Sequence, residues 1–384
     1  MIQNKRVIIV AHFLLYGAAH ALTDYLLKKH IKGLSRILLP LSSQRNVYLS
    51  EYKKNRKGEL KLKEKNTISR RINLGPIDYL IDIFQTLVFV ASKEKFDTYI
   101  GFDALNCLSG LFLKKIGRVD SVVFYSIDFV PIRFHNAFLN RIYHEIEIYC
   151  VKNADQIWNV SPRIAVGREK FLHLSTKKYV QQVVPIGIWN SNIKKRSIDK
   201  INQHQVLFMG HLLEKQGVQK VIEALPRIVK KIPNFKLLIV GGGEYKIVLE
   251  NKVRELSLEQ YVIFTGWVND REKIDGIMSE SAIAVATYKP EKRQLYNFTY
   301  YADPTKLKDY LGAGLPIVLT NVSYNASEIA TKKCGILVQY DEKDIAKAVI
   351  RLLTNKKTLT DYRNNAQAYA KEFDWSEIFK KVRM

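Results

Sequence analysis

"RVIIVAHFLLYGAAHALTDYLLKKHIKG", residues 6–33, sets the fold class. Its first part is a β-branched apolar run, the composition of a strand covered on both faces. Gly17, Ala18 and Ala19 then open a segment of helical period that reaches Gly33. A buried strand, a glycine turn and a helix make the first half of a βαβ unit. The same rhythm returns in "DTYIGFD" (97–103), "SVVFYSID" (121–128), "DQIWNVS" (155–161) and "KKYVQQVVPIGI" (177–188), with helix-like stretches such as "ALNCLSGLFLKKIG" (104–117) between them. Alternation of this kind predicts α/β architecture with a mostly parallel sheet.

The pattern then starts again. "QVLFMGHL" (205–212), "FKLLIVGGG" (235–243), "YVIFTGW" (261–267), "AIAVATY" (282–288), "LPIVLT" (315–320) and "GILVQY" (335–340) form a second series of short strands. Helical segments such as 217–232 and 342–355 separate them. Between the two series lies a polar, charged stretch, so the reading is a domain over 1–189, a linker over 190–204 and a second domain over 205–370. Two Rossmann-like doubly wound domains in tandem would face each other across a cleft, a usual place for a ligand.

At 384 residues the chain suits two domains on a soft prior of about 150 residues each. The apolar share of 47% supports full cores. The longest apolar segment, "YLIDIFQTLVFVA" (79–91), is interrupted by Asp82 and Gln85 and is too short to span a bilayer. "MIQNKRVIIVAHFLLYG" reads as a first strand and loop in preference to a signal peptide. Cys107, Cys150 and Cys334 are three widely spaced thiols without metal-ligand spacing, which fits a reducing cytoplasmic compartment. A formal charge of +24 implies an acidic partner: nucleic acid, an anionic membrane face or phosphorylated ligands. Part of that charge lies in "EYKKNRKGELKLKEKNTISRR" (51–71), which reads as an exposed basic hairpin, either a solvated surface or a membrane-surface contact.

Ligands of open parallel sheets bind beyond the carboxyl ends of strands, so the loops there are the places to search. After the first strand, Gly17 precedes a helix start and allows close backbone approach. Gly210 and His211 follow the strand 205–209, with Lys215 before a helix near Val218, where a point charge beside free amides suits a diphosphate. Gly241, Gly242 and Gly243 leave room for a ligand or a neighbouring backbone. Asp128 ends an apolar strand and reads either as a group that orients a hydroxyl and takes its proton, or as a loop cap before Pro131. His12, His20 and His211 could also reach the mouth of the site.

The fifth loop leads into "ADPTKLKDYLGAGLPIV" (302–318). Asp303 has the chemistry of an N-cap and Pro304 that of a first helical residue, which predicts a helix over 304–313. Leu307 and Leu311 would pack inward, and Lys306 and Asp309, three apart, would share another face. They are either a surface ion pair or a ligand set. In the second case the helix amides bind phosphate, Lys306 adds charge and Asp309 takes a sugar diol. Asp303 would then compete with the phosphate for the same amides.

These residues resemble the donor-binding half of a GT-B glycosyltransferase of the large retaining family 4, which includes bacterial mannosyltransferases and sucrose synthase-like enzymes. The resemblance rests on "GHLLEKQGV", "LLIVGGGE", "VIFTGWV" and "PTKLKDYLGAGLPIV", in that order, across most of residues 205–350. The first domain matches more loosely through "YGAAHAL", "KNADQIWNVS" and "VVPIGI". The closing "FDWSEIFKKV" resembles a final helix that returns to the first domain. The resemblance implies that Lys215 and the amides of Thr305 and Lys306 contact the donor diphosphate, and that Asp309 holds the ribose where the family has glutamate. It places Gly266, Trp267 and Val268 against the base, Gly17 near donor or acceptor, and Asp128 near where many members have a histidine beside the transferred sugar. Asp303 either caps its helix or turns toward the donor sugar.

Two departures stand out. His211 occupies a position where an arginine usually pairs with the lysine. The family's earlier glutamate falls on Tyr301, and Glu291 could recover that role only if "KRQLYNFTYYA" (292–302) loops out. The expectation is therefore a metal-independent hexosyltransferase without a cofactor, acting in the cytoplasm or at the inner membrane face, within polysaccharide biosynthesis. Its donor would be a nucleoside diphosphate sugar and its acceptor a glycan or lipid-linked glycan hydroxyl. The competing expectation is a non-catalytic nucleotide-sugar binder that supports a partner. A nucleic-acid-binding role finds no recognition motif.

Overall fold

A computed structural model describes residues 4–13, 17–40, 46–54, 59–69 and 77–382. The chain divides into two compact units, residues 1–185 with 378–384, and residues 186–377.

In the first unit the strands are β1 (Arg6–His12), β2 (Gly33–Leu39), β3 (Asn46–Lys54), β4 (Leu60–Ser69), β5 (Phe96–Phe102), β6 (Val119–Ser126), β7 (Gln156–Asn159) and β8 (Gln181–Val183). Among the described residues they form one sheet in the order β4-β3-β2-β1-β5-β6-β7-β8. β1 lies at the centre, parallel to both β2 and β5, and Val7 to Val10 have no solvent exposure. Their β-branched side chains are covered on both faces, as the run "VIIV" requires. β3 and β4 are antiparallel, and the exposed lysines Lys53, Lys54, Lys61 and Lys63 stand along them. The turn predicted for this hairpin, at 55–58, lies outside the described residues, as do Leu14 to Tyr16 before Gly17.

The order reverses between β1 and β5, which makes their carboxyl ends the switch point of the sheet. The helix Asp103–Lys115 begins there. It sits close on β5 because Gly110 has no side chain: a Cβ there would lie 2.4 Å from the ring of buried Tyr99. The Tyr99 hydroxyl donates to the Asn106 carbonyl at 2.9 Å and fixes the helix along its axis.

In the second unit the strands are β9 (Asn202–Met209), β10 (Lys236–Val240), β11 (Val262–Gly266), β12 (Ser281–Ala286), β13 (Ile317–Thr320) and β14 (Gly335–Val338). They pair in parallel in the order β11-β10-β9-β12-β13-β14, with the reversal between β9 and β12. The helix Val218–Val229 and the helix Glu342–Thr354 cover one face with Val221, Leu225, Ile345 and Val349. The helix Thr305–Gly312 buries Leu307 and Leu311 on the other.

The expected linker at 190–204 is corrected by the structure. The second unit begins at Ile186, Ile193 is buried, and β9 already starts at Asn202. The amide of Asn190 donates to the Asp374 carboxylate at 3.1 Å, and Arg363 donates to the Arg196 carbonyl at 3.4 Å. The polar composition that suggested a linker belongs to a turn-rich surface segment tied down at its backbone. The closing helix Trp375–Lys381 ends in the first unit, where the Phe379 ring packs 5.2 Å from Tyr25. Among the described residues no helix is long and apolar enough to cross a membrane.

Because the helix start at Asp103 depends on the Gly110 contact, Gly110→Ala should lower stability by about 1–3 kcal/mol through overpacking, despite alanine's better helix propensity. Urea unfolding followed by circular dichroism measures this.

Candidate functional site

In the second unit, register brings three loops together. Met209 pairs with Val240, and Val240 with Gly266, so the segments after β9, β10 and β11 emerge side by side. The Gly210 amide donates to the Val240 carbonyl at 2.9 Å, and the Gly241 amide to the Gly266 carbonyl at 2.9 Å. The triple glycine makes room for its neighbours. A Cβ on Gly241 would lie 1.9 Å from the Gly210 carbonyl oxygen, one on Gly242 2.6 Å from the Trp267 indole nitrogen, and one on Gly243 2.5 Å from the His211 ring. His211 and Trp267 therefore stand as an edge-to-face pair with centroids 5.6 Å apart. Trp267 leaves 60% of its surface exposed while Val268 packs on the core.

Beside this platform is the start of the helix Thr305–Gly312. Pro304 is the N-cap and among the described residues no side chain caps the first turn. This corrects the expected start at Pro304 with Asp303 as cap. The Asp303 carboxylate instead accepts from the Ile186 amide at 2.8 Å and forms an ion pair with Lys308, both side chains fully buried. A carboxylate held from two sides and enclosed by protein does not turn toward a donor sugar. It also does not block the helix amides.

Lys306 and Asp309 are not paired with each other. The Lys306 ammonium lies over the Phe208 ring at 4.5 Å and the Tyr288 ring at 5.5 Å, donates to Gln216 Oε1 at 2.8 Å, and fills the space above Gly210. Burial pulls its pKa down to about 7. The Tyr288 hydroxyl is buried and has no hydrogen-bond partner among the described residues. Asp309 Oδ1 accepts from Arg271 at 2.9 Å, and Arg271 also binds Asp275 at 3.0 Å. Burial pushes the Asp309 carboxyl above the ordinary carboxylate range, with Arg271 pulling the other way. The sequence reading missed Arg271 and Lys308, since the Asp309 that Arg271 holds lies on another helix and Lys308 pairs with Asp303 inside the core.

Lys215 sits in the turn Glu214–Gln216, half-buried, with its ammonium 5.5 Å from the Phe298 ring centre and its carbonyl accepting from Lys289 at 3.0 Å. Gly217, at φ +76, closes the turn against the Thr287 carbonyl, where a Cβ would lie 1.6 Å away. The insert 292–302 contains the short helix Phe298–Tyr301, with Tyr301 buried and Glu291 half-buried. The Glu291 carbonyl accepts from Gln294 at 2.6 Å.

In the first unit, Gly17 is the N-cap of the helix Ala18–Leu27, in extended conformation and without a side-chain cap. His12, at the end of β1, lies 3.5 Å from the Asn106 amide and 6.5 Å from the Tyr79 ring. His20 is drawn down to about 4 by burial and by Arg36, so it is neutral at pH 7. Asp128 is neither a free base nor a simple loop cap. Arg133 grips both its oxygens at 2.9 and 3.3 Å and also donates to the Tyr143 hydroxyl at 3.0 Å. Next to it is a residue the sequence reading missed. Asp103 opens its helix with a left-handed φ of +67, accepts from the Ile127 amide at 3.4 Å, and is pushed up to about 8 by burial and by Asp128. Two carboxyl groups thus stand at the ends of adjacent parallel strands in different settings, Asp128 ion-paired with Arg133 and Asp103 buried beside it with its pKa raised. Among the described residues no cluster of His, Cys, Asp or Glu is arranged to hold a metal ion.

Comparison with known proteins bears on the fold. Residues 190–369 match the family model "Glycosyl transferases group 1". A phosphatidyl-myo-inositol mannosyltransferase of Mycolicibacterium smegmatis is 25% identical over 46% of this chain and 43% of its own length. The matches span about half the length of the curated relatives. Among solved structures, a sucrose-phosphate synthase of Thermosynechococcus elongatus superposes with a TM-score of 0.70 at 14% identity, over 97% of this chain and 96% of that one. HepE of Anabaena in complex with UDP gives 0.69 at 15% identity, over 98% of both chains. The fold is GT-B. Within a GT-B chain the loops after β9, β10 and β11 and the helix Thr305–Gly312 belong to the half that carries the group 1 domain.

Lys308→Met should destabilise the chain by about 3–5 kcal/mol, because it leaves the Asp303 charge buried and alone. Asp303→Asn with Lys308→Met should recover part of that loss, since the amide oxygen can still accept from Ile186. Equilibrium urea unfolding of both variants checks the order.

Proposed function

We propose that the chain is a retaining glycosyltransferase of family 4 that moves a hexosyl unit from a nucleoside diphosphate sugar to a hydroxyl of a glycan or lipid-linked glycan. The observation that carries this reading is a helix N-terminus with no side-chain cap among the described residues, flanked by a buried lysine whose ammonium donates to the neutral Gln216 side chain, at the carboxyl edge of a parallel sheet. The amides of Thr305 and Lys306, with the ammonium groups of Lys306 and Lys215, would neutralise the diphosphate as the glycosidic bond breaks. Each well-placed donor of this kind is worth about 3 kcal/mol in other enzymes. No metal is required if these groups carry the charge. Trp267 would stack on the base beside Gly266 and Val268. Asp309 would hold the ribose with the oxygen not taken by Arg271. The mannosyltransferase relative and the UDP bound to HepE support a nucleotide-sugar donor.

In the first unit Asp128 would face the transferred sugar, with Arg133 fixing its direction and Asp103 supplying a protonated neighbour that can donate to an acceptor oxygen. The second reading, a nucleotide-sugar binder without transfer activity, is favoured by Tyr301 standing where the family has its earlier glutamate. Transfer or hydrolysis of any donor removes that reading.

A panel of UDP, GDP and ADP sugars in a thermal-shift assay identifies the donor, and nucleotide release with radiolabelled donor tests transfer. Lys306 gives a sharper check. Its folded pKa is near 7 and a diphosphate raises it, so donor binding takes up a proton. Nucleotide-sugar phosphates do not titrate near neutrality, so affinity should fall as pH rises above about 7 and should be nearly flat for Lys306→Met. Calorimetry in buffers of different ionisation enthalpy reads the proton directly. Proton uptake unchanged in the variant would remove Lys306 from the site.

A further inference from the structure

The helix Ile77–Ala91 is apolar on two faces: Val90 is buried in the core and Leu87 and Phe89 pack against it, while a second apolar row faces outward. Leu80, Phe84 and Val88 recur every four residues along its outer face and are 66%, 66% and 52% exposed. Asp82 and Thr86 point inward, and the buried Thr86 hydroxyl has no hydrogen-bond partner among the described residues. The next helices, Asp103–Lys115 and Ala137–Asn153, pack alongside in turn and continue the surface. Phe112 and Ile116 are each 51% exposed and Phe138 is 70% exposed, above an apolar groove reaching Leu108 and Tyr149. Single exposed apolar side chains are ordinary, whereas a band of bulky ones across three adjacent helices marks a contact surface.

Charge selects the occupant. Lys115 and Lys114, the latter paired with Asp155, stand between Phe112 and Ile116, and Arg141 lines the groove beside Phe138 with Glu145 as its one acid. The strand pair β3 and β4, from which the chain passes into the helix, exposes Lys53, Lys54, Lys61 and Lys63 around a half-exposed Leu62. An apolar centre with a basic border fits an anionic lipid surface, which takes bulky side chains into its acyl boundary and attracts lysines at its headgroups. A second copy of a chain carrying +24 would meet the same charge. The band also starts at the candidate site, because Tyr79, on the first turn of the helix, meets the ring of His12 at the end of β1.

We infer that the outward face of the helix Ile77–Ala91, with the neighbouring Phe112, Ile116 and Phe138, is the surface by which the first unit rests on an anionic bilayer, from which a lipid-linked acceptor reaches the end of β1. This rests on the proposed transfer reaction for the acceptor but not for the lipid contact.

The test is flotation of the full chain with vesicles of phosphatidylcholine alone and with about one-third phosphatidylglycerol. The wild type should float with the anionic vesicles only. Leu80→Ser with Phe84→Ser and Val88→Ser should reduce the bound fraction about tenfold or more, while the thermal shift given by the donor stays unchanged. Phe84→Trp should gain indole emission that brominated acyl chains quench, beyond the quenching of the wild type. That variant keeps the contact testable if the triple one misfolds. Absence of the wild type from anionic vesicles, or equal binding by the triple variant, overturns the inference. So does a wild-type dimer in sedimentation that the triple variant turns into monomer, which would make the face a contact between copies. Vesicle binding without any donor shift would sink the proposed reaction and leave the lipid surface standing.

Discussion

The second unit's candidate site depends on one buried ion pair. Asp303 and Lys308 lie five residues apart across the start of one helix, and the carboxylate also holds the Ile186 amide, where the second unit begins. The pair contributes little net stability by itself, since removing two charges from water offsets most of their attraction. Its consequence is positional. Asp303 is used elsewhere, so the first turn of the helix Thr305–Gly312 has no side-chain cap among the described residues, with Lys306 beside it.

The platform next to that helix follows from packing of the same strictness. Gly241, Gly242 and Gly243 leave space occupied by the Gly210 carbonyl, the Trp267 indole and the His211 ring. Added methyl groups would collide with these neighbours before they met any ligand. The glycines act on a ligand through what they allow to stand over them. Backbone freedom becomes side-chain placement, and an exposed indole becomes available at the carboxyl edge of the sheet.

Much of this was legible in the chain. β-branched runs gave the strands of both sheets, the helix near 305–312 was evident from Pro304 and the leucine spacing, and Leu307 and Leu311 face inward as their period demands. What was hidden were partners. Asp303 reads as a cap until Lys308 is seen folded beneath it, and Asp309 reads as a free carboxylate until Arg271, 38 residues away, is seen against it. Asp128 looked like a lone acid or a cap, yet Arg133 returns across Pro131 to grip it. Asp103 gave no signal because its left-handed backbone and its proton both come from the crowding of strand ends. Local pattern carries propensity and period, while the charge state of a carboxylate is a property of the assembled neighbourhood. The mistaken linker has the same origin, because a polar stretch can be pinned by backbone hydrogen bonds that composition does not display.

The lowered pKa of Lys306 has a further consequence for a protein that carries a charge of +24. Such a molecule attracts every polyanion and small anion around it, and a permanently cationic pocket would be occupied by stray phosphate much of the time. An amine that is about half neutral when alone offers little to a passing monovalent ion. It becomes fully cationic only for a ligand with enough negative charge, placed closely enough, to draw the proton in. Discrimination would then lie in the cost of charging the site, and the crowded surface charge outside need not set what the pocket holds.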